Sequence, residues 1–560
     1  MKTTRILQPL LHRAGALCRL CATAYYLRCR ERLPLDEKAI LFESMLGHEF
    51  SGNPFWLSKA IAEEPAFAGW RLAVSVTPGG WKKVRAAQRP FGGRVQVVVK
   101  GSRAYFRALA TAKFLVNDVS FPAWFVKREG QRYLNTWHGT PLKHMGRHMA
   151  HGAGGIGNVV RTFLQSDLLV QPNRYTAETM SKAYGMGGLF TGTAALAGYP
   201  RNAAFFGEAR QAELRKREGL EGRRVAVYMP TWREEEARLG TTSPLPDILT
   251  ALDAALPEGV VLFAKLHHLA AKTFVIDYAQ FKRIRPFPDG VDIYEFLNVA
   301  DVLVTDYSSV MFDFACTGRP VVLLPYDKEQ YLAARGMYIP YEELPFPVAR
   351  SAQELAEMLG GALPYGGYGA FRAEYCPKDA PDAAAKLAKA FLSDDYSALE
   401  SLPNFGVARK DGCTLLFAGS LENEAAVKAL LNYVKDVSPR ERLVVCLSQT
   451  VGQTHDDVVR QLPENVPFMT FFDEPGCTLG ERVCWAIYKM LRQRAWRVPT
   501  FLTRAVERIY RREIERNFPT LRVARTVYFE GTGFREERFG MALGVPGTAV
   551  GKTNAGEVVR

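Results

Sequence analysis

The stretch ADVLVTDYSSVMFDFACTGRPVVLLPYD, residues 300–327, indicates the fold class of this chain. An apolar run ends at a polar turn, a helical pattern follows, and a second apolar run starts after Gly318. Two buried strands joined by a helix are typical of a parallel β-α-β unit. The stretch therefore predicts a parallel sheet with helices on its faces.

The same alternation of strand-like and helix-like segments runs through most of the chain. It breaks at GYPRNAAFF, residues 198–206, and then restarts. Two doubly wound halves joined by a short linker would leave a cleft between them, where ligands usually bind. The strand candidates are 39–46, 94–100, 113–117, 132–137 and the end of 159–173 before the break, and 224–234, 260–268, 283–288, 301–309 and 319–327 after it.

Composition is that of a globular protein with a strong positive charge. Hydrophobic residues make up 48% and charged residues 23% of the 560 residues, and the net charge is +14. This charge favours an anionic partner, which could be nucleic acid, an anionic membrane or a polyphosphate substrate. No zinc-finger spacing, RNP-like sequence or long Lys/Arg block is present, so we expect no nucleic-acid partner.

Residues 1–35 form a basic, amphipathic segment. Leucines, alanines and cysteines recur at helical spacing from Leu7 to Cys21, and Glu31 is the one acid against seven Lys and Arg residues. This pattern predicts a helix lying on an anionic inner leaflet, which would place the protein peripherally on the cytoplasmic face of the membrane. The alternative is a helix packed on the protein with solvated arginines.

Nine cysteines are scattered along the chain. Cys18 and Cys21 form a C-x-x-C pair, but no second pair stands at zinc spacing. We expect ordinary cysteines in a reducing compartment. We also expect no metal or other cofactor, because no acidic cluster has metal-ligand spacing.

The stretch LNTWHGTPLKHMG, residues 134–146, places a histidine where a strand ends. Histidine has a free pKa near working pH, so His138 on a strand-end loop is a candidate general base. The alternative is a buried structural histidine bonded to a backbone carbonyl. Further along, HGAGGIGNVV, residues 151–160, has G-x-G-x-x-G spacing but follows a polar stretch instead of a strand. We therefore predict a flexible loop there and no dinucleotide site.

Three further strand ends carry groups suited to phosphate. YMPTWRE (228–234) offers Arg233, whose guanidinium suits bidentate binding, although it could be a plain surface arginine. FAKLHH (263–268) offers Lys265 with a histidine beside it. In TDYSS (305–309), Ser308 and Ser309 fall near a helix N-terminus, where hydroxyls and exposed N–H groups can bind phosphate or cap the helix.

Together these stretches resemble the CDP-glycerol glycerophosphotransferase family, the membrane-associated polymerases and primases of wall teichoic acid. WHGTP, PTWR and TDYSS…FD…RP occur in order over about residues 36–394, and FESMLGHEFSGNP (42–54) and GYPRN (198–202) are also similar. The resemblance implies a GT-B-type fold. It also implies transfer of glycerol phosphate from CDP-glycerol to an acceptor hydroxyl with release of CMP.

The resemblance assigns the role of base to His138 and places phosphate-binding groups at Lys265 and His267. The family has Lys-x-His-Pro here, and this chain has His268 in place of the proline, so which histidine faces the donor stays open. Asp313 could bind a ribose or glycerol hydroxyl, and Arg319 could bind phosphate or pair with Asp313. The complete predicted site comprises His138 and His267 as catalytic residues and Gly139, Thr140, Lys143, Arg233, Lys265, Asp306, Ser308, Ser309, Asp313 and Arg319 as substrate-binding residues.

We expect an acceptor domain at 36–205, a CDP-donor domain at 206–396 and a smaller Rossmann-like domain at 405–560. The last begins like a glycosyltransferase, yet it is short for a complete one, which favours a docking or regulatory role. The expected acceptor is a lipid-linked or polymeric glycerol phosphate. Alternatives are a ribitol donor, a nucleotide-sugar glycosyltransferase of the same fold, and an inactive protein that binds anionic polymer.

Overall fold

The computed structural model describes most of the chain. The described residues are 2–231, 233, 243–266, 276–363, 366–402, 412–419, 421, 423–448, 453–471, 475–519, 521–529 and 531–550. For residues 2–14, 16, 89, 453, 454 and 534 only the backbone is described. Within these residues no helix is both long enough and apolar enough to cross a membrane.

The first half of the chain forms a parallel sheet with the strand order of a Rossmann-like fold. The order is β3-β2-β1-β4-β5-β6-β7, so the direction of strand addition reverses between β1 and β4. Successive residues alternate between its two faces, which are both covered, as the near-continuous apolar runs require. The strands are β1 (Asp36–Glu43), β2 (Arg71–Val76), β3 (Val95–Val99), β4 (Ala112–Asn117), β5 (Arg132–Asn135), β6 (Leu168–Gln171) and β7 (Thr193–Leu196).

The second half repeats this plan with five described strands. Their order is β10-β9-β8-β11-β12, again parallel, with the reversal between β8 and β11. The strands are β8 (Arg224–Met229), β9 (Val260–Ala264), β10 (Ile284–Pro286), β11 (Val302–Thr305) and β12 (Val321–Leu323). The sheet predicted from residues 300–327 is therefore present as β11, a helix and β12.

The chain then returns to the first sheet before it enters the third. β13 (Glu400–Ser401) pairs antiparallel with β7. The third sheet has the order β16-β15-β14-β17-β18 in the described residues, and all its pairs are parallel. Its strands are β14 (Cys413–Phe417), β15 (Leu443–Ser448), β16 (Phe468–Phe471), β17 (Val523–Phe529) and β18 (Gly547–Val550).

The described α-helices cover the faces of these sheets. They are α1 (Lys2–Arg32), α2 (Gly52–Glu63), α3 (Trp81–Ala87), α4 (Arg103–Thr111), α5 (Gly157–Gln165), α6 (Arg174–Ala183), α7 (Glu208–Arg217), α8 (Leu245–Ala255), α9 (Ile293–Leu297), α10 (Val310–Ala315), α11 (Lys328–Arg335), α12 (Ala352–Gly360), α13 (Gly369–Tyr375), α14 (Ala383–Ser393), α15 (Glu424–Val437), α16 (Gln453–Gln461), α17 (Leu479–Gln493), α18 (Thr500–Asn517) and α19 (Phe534–Leu543).

Helix α14 belongs structurally to the first half, although the sequence placed it in the domain 206–396. Leu387 and Phe391 are fully buried in the same cluster as Ile40 and Phe42 of β1. The helix packs on α2, and β13 then extends the first sheet. This helix links the two halves, because it follows the second half in the chain but buries its apolar face against the first half.

The C-terminal part of α1 is packed on the protein. Tyr26 and Leu27 are fully buried, and the Tyr26 hydroxyl donates a hydrogen bond of 2.9 Å to the carbonyl of Val126. Leu17 and Arg19, about two turns earlier, are exposed. The alternative of a helix packed on the protein therefore applies to this end of α1, while the membrane prediction remains for the preceding turns.

The G-x-G-x-x-G loop is the docking point for the third domain. The backbone N–H groups of Gly152 and Gly154 each donate a hydrogen bond of 2.7 Å to the carboxylate of Asp456. A Cβ atom on Gly157 would lie 1.5 Å from the Thr470 hydroxyl oxygen. The glycine spacing thus allows a close approach between two domains.

Replacing Gly157 with alanine should weaken this docking, because the new methyl group overlaps Thr470. We expect the free energy of unfolding to fall by about 1–3 kcal/mol, the usual cost of overpacking. A thermal melt compared with Gly155→Ala measures it, since a Cβ on Gly155 meets nothing within 4 Å. Equal melting temperatures for the two variants would contradict this account of the loop.

Candidate active site

A tight turn at the end of β5 presents His138. Trp137 has a φ of 51°, a left-handed conformation that is rare for a bulky side chain. Its N–H donates to the Asn135 side-chain oxygen at 2.9 Å, and its carbonyl accepts from the Asn53 amide at 3.1 Å. These two asparagines hold a backbone conformation that the turn alone would not maintain.

The ring of His138 is oriented by a backbone carbonyl. Its Nδ1 lies 2.8 Å from the carbonyl oxygen of Asp118, which can only accept, so Nδ1 carries the proton and Nε2 carries the lone pair. The ring also lies against Trp137, with centroids 4.1 Å apart. Burial lowers the pKa of His138 to about 4, against the opposing effect of the Asp118 carbonyl. The histidine is therefore neutral, with Nε2 as its basic nitrogen, over the whole physiological pH range.

A buried ion pair connects this turn to the second half. Arg201 donates to the carbonyl of His138 at 3.0 Å and to the carboxylate of Asp313 at 2.7 Å, and both side chains are 5% exposed. The guanidinium lies over the rings of Tyr199 and Tyr294, and the Tyr294 hydroxyl also donates to Asp313. The carboxylate of Asp313, predicted to bind a substrate hydroxyl, is instead engaged within the protein.

The two strand-end loops meet at a glycine. A Cβ atom on Gly139 would lie 2.6 Å from the hydroxyl oxygen of Ser309, so only glycine allows this approach without a shift of the serine. Ser308 and Ser309 are partly exposed beside the contact, whereas Thr140 is buried and accepts a hydrogen bond from Asn173 at 3.2 Å. The carboxyl-terminal edges of the two sheets therefore face one another across a cleft at His138 and Ser309.

Two half-buried lysines lie on the loops that follow β5 and β9. Burial lowers the pKa of Lys143 to about 8, with Asp306 opposing the shift. Burial also lowers the pKa of Lys265, and Glu49 of the first half opposes it from across the cleft. A partly desolvated ammonium group gains stability from an anion, so both positions suit a phosphate ligand.

Arg233 and Asp306 form an internal network rather than an open binding surface. Arg233 donates to Asp306 at 2.9 Å and to both oxygens of Asp327, and it lies among three tyrosine rings. Asp306 is fully buried and also accepts from the N–H groups of Thr231 and Tyr307. These two predicted substrate-binding residues therefore support the loops that line the cleft.

Arg319 lies at the opposite edge of the second sheet. It precedes β12, and its guanidinium donates to the carbonyls of Asn298 and Ala300 at 2.7 Å. The prediction that Arg319 binds phosphate or pairs with Asp313 does not fit this position, because a β-α-β unit returns the chain to the amino-terminal edge. His267 and His268 lie outside the described residues.

Three residues of the site had no assigned role in the sequence prediction: Asn53, Asp118 and Arg201. Asn53 and Arg201 stand in FESMLGHEFSGNP and GYPRN, two stretches that resembled the family, so a signal for them existed. Asp118 acts through its backbone carbonyl, which carries no side-chain signal in a sequence. In the described residues no three His, Cys, Asp or Glu side chains are grouped as metal ligands.

Residues 25–391 match a protein-family model. The family is described as CDP-Glycerol:Poly(glycerophosphate) glycerophosphotransferase. The chain is a member of this family. The predicted family and class of activity, transfer of glycerol phosphate from CDP-glycerol, are thereby confirmed. In this glycerophosphotransferase the third domain follows the matched region, which ends at residue 391.

Curated relatives agree with this membership. The chain is 29% identical to a teichoic acid poly(glycerol phosphate) polymerase of Bacillus spizizenii over 64% of its own length and 93% of the relative's. It is 30% identical to a teichoic acid glycerol-phosphate transferase of Staphylococcus aureus, over 59% of this chain and 84% of that one. A teichoic acid poly(glycerol phosphate) polymerase of Bacillus subtilis is 29% identical, and the match covers 44% of it.

Solved structures confirm the predicted GT-B-type fold. The wall teichoic acid polymerase TagF superposes with a TM-score of 0.57 at 25% identity, over 70% of this chain and 98% of that chain. A histidine variant of the same polymerase, soaked with CDP-glycerol, gives a TM-score of 0.55 at 25% identity. The two facing sheets of the glycerophosphotransferase therefore have a counterpart in a polymerase of the same family.

The pH dependence of kcat/KM should include the shifted pKa values of His138 and Lys143 in the free enzyme. Neutral His138 is lost only as the pH falls toward about 4, so an acidic limb nearer neutrality would report another group, such as Asp118, whose pKa burial raises to about 7. Charged Lys143 is lost as the pH rises through about 8. Initial rates of CMP release measure both limbs, with enzyme returned to neutral pH as the control for unfolding.

Lys143→Arg is the matched variant, because arginine keeps its charge throughout this range. It should remove the basic limb and leave the acidic one in place. A basic limb that persists in Lys143→Arg would assign it to another group.

Removing one partner of the buried ion pair should destabilise the protein strongly. Arg201→Leu leaves Asp313 without its counter-charge, and the expected loss is about 3–5 kcal/mol of unfolding free energy. The double variant Arg201→Leu/Asp313→Leu should recover part of that loss. A double-mutant cycle by chemical denaturation measures the coupling, and additive losses would contradict it.

Proposed function

We propose that this protein extends a polymeric or lipid-linked glycerol phosphate acceptor, with His138 as the general base. The acceptor hydroxyl gives its proton to Nε2 of His138, and its oxygen forms a bond to the distal phosphorus of CDP-glycerol. The bond from that phosphorus to the bridging oxygen breaks, and CMP leaves with this oxygen. The observation that carries the proposal is the place of His138 after β5, where the neighbouring Gly139 meets Ser309 of the second half, and the Nδ1 contact with the Asp118 carbonyl leaves Nε2 as the basic nitrogen.

In this proposal protein cations stabilise the charge of the transferred phosphoryl group. Phosphoryl transfer depends mainly on positioning and on electrostatic stabilisation. Lys143 and Lys265, both half-buried and with lowered pKa values, would bind the donor's phosphates together with the hydroxyls of Ser308 and Ser309. His267 is retained as a second candidate on the basis of the family pattern alone.

Arg201, Asp313, Arg233 and Asp306 would act as positioning residues. Each is buried and engaged with other protein groups, whereas Lys143 and Lys265 are partly exposed. Gly139 and Thr140 would shape the loop that holds His138. This assignment gives the arginines of the cleft a structural role and leaves the lysines to the substrate.

We further propose that the protein acts on the cytoplasmic face of the membrane, with the early turns of α1 against anionic lipid. The basic composition of residues 1–35 and the exposure of Leu17 and Arg19 support this location. All nine cysteines are free thiols, as is usual in a reducing compartment. A lipid-linked acceptor would be presented at the same surface, and no nucleic-acid partner is part of the proposal.

His138→Ala should reduce CMP release from CDP-glycerol by about 10²–10⁴-fold with a glycerol phosphate acceptor, because the general base is lost. His151→Ala is the matched control, since that histidine is exposed on the glycine loop. Full activity in His138→Ala would contradict the assignment of His138 as the general base. Activity of the wild type with CDP-ribitol alone would change the donor and leave the base assignment intact.

The affinity for CDP-glycerol distinguishes the role of the general base from that of the phosphate-binding groups. Calorimetric titration with CDP-glycerol should show affinity within about threefold of wild type for His138→Ala and at least tenfold weaker for Lys265→Met, since a half-buried cation is lost only in the second. Equal affinities for the two variants would exclude Lys265 from the donor site.

A further inference from the structure

Helix α17 carries an apolar stripe that is exposed among the described residues of the protein. Leu479, Val483, Ile487 and Met490 follow at intervals of four, four and three residues, so their side chains share one face of the helix. Trp496, in the connection to α18, and Phe501, in its first turn, are exposed as well. The exposed fraction of these six side chains is between 39% and 64%. We call this surface, from Leu479 to Phe501, the hairpin face.

The domain core uses the opposite side of the helix. Tyr488 and Glu481 of α17 are buried, and Trp485 packs on Tyr510 of α18 at a centroid distance of 5.3 Å. A surface helix of a globular protein needs one apolar stripe to fold against its neighbours. The hairpin face is a second stripe, and a cluster of large exposed apolar side chains indicates an interaction surface.

Charges in the stretch of chain that carries the hairpin face, residues 479–516, have one dominant sign. Of the acids between residues 479 and 516, Glu481 and Glu513 are buried and Glu515 pairs with Arg30 at 2.8 Å. This leaves Glu507 as the one exposed acid among the described residues of the stretch. The exposed cations are Lys489, Arg492, Arg494, Arg497, Arg504, Arg508 and Arg511, of which Arg508 lies 3.7 Å from the buried Glu481.

The hairpin is joined to α1. Arg512 of α18 pairs with Glu31, Arg30 pairs with Glu515, and α1 also contacts α17. The described part of α1 that precedes these contacts exposes Leu17 and Arg19. The hairpin face is therefore attached to the segment for which the sequence predicted membrane contact.

We propose that the hairpin face docks on an anionic lipid bilayer, with the apolar stripe at the boundary between headgroups and acyl chains. Apolar side chains flanked by arginine and lysine are the pattern of helices that lie in this interface, and tryptophan is enriched there. A symmetric contact with a second copy of the chain would bring the same cations together, which disfavours that occupant. This docking surface is separate from the proposed active site and includes none of the residues assigned to the transfer reaction.

Sedimentation of the full-length protein with vesicles tests the proposal. Vesicles of phosphatidylcholine with phosphatidylglycerol should bind the protein in a salt-sensitive manner, and vesicles of phosphatidylcholine alone should bind it weakly. Val483→Ser/Ile487→Ser should weaken binding to the anionic vesicles at least about tenfold. Val348→Ser is the matched control, since it changes an exposed valine of the second half and should leave binding unchanged.

A second measurement tests membrane contact in a variant whose folding is checked separately. Brominated lipid should quench part of the wild-type tryptophan fluorescence, and Trp496→Phe should lose that part while its melting temperature stays within about one degree. Release of CMP with a soluble acceptor checks each variant for an intact active site, so failure of membrane docking is distinguishable from failure of the proposed reaction.

Three outcomes would overturn the proposal. The first is unchanged vesicle binding in Val483→Ser/Ile487→Ser, with binding lost in Leu17→Ser, because bilayer contact would then belong to α1 alone. The second is self-association of the wild type in light scattering that Val483→Ser/Ile487→Ser abolishes, because the occupant would then be a second copy. The third is equal quenching in wild type and Trp496→Phe.

Discussion

The ion pair between Arg201 and Asp313 is the constraint on which the cleft depends. It joins the first half of the chain to α10 of the second at 2.7 Å, and the same guanidinium holds the carbonyl of His138. Burying two charges is costly unless their geometry and their other hydrogen bonds are satisfied, so the pair forms only when both halves are in place. The position of the proposed base is thereby coupled to the closure of the two sheets.

Charged groups in the cleft divide into two kinds. The arginines, with several donors in a fixed plane, are each bound by carboxylates and carbonyls, as Arg233 is by Asp306 and Asp327. The lysines Lys143 and Lys265 are half-buried and less fully compensated, which is why burial lowers their pKa values. Arginines paired within the protein, together with lysines that are less fully compensated, suit a reaction in which phosphate charge must be bound and then released.

The third domain is part of this arrangement and not a separate appendage. Its core is continuous with Trp137 and Phe163 of the first half, and Arg161 reaches across to the carbonyl of Thr470 at 2.9 Å. Trp137 is the residue whose left-handed backbone presents His138. The domain therefore supports the turn of the proposed base on one side, while on its outer side it exposes the hairpin face.

The sequence by itself determined the architecture and the positions of the loops that form the site. Continuous apolar runs followed by polar turns favour buried parallel strands, so β1, β3–β6 and β8–β12 were predicted, whereas β2 and β7 were missed; TAAL at β7 has little strand propensity. Only the tertiary structure decided which side chains face the cleft. Asp313 and Arg233 read as ligand groups in the sequence, but they meet oppositely charged partners that are distant along the chain. Glycines with a nucleotide-binding spacing became a docking loop for the same reason, because what a residue contacts depends on the packing of remote segments.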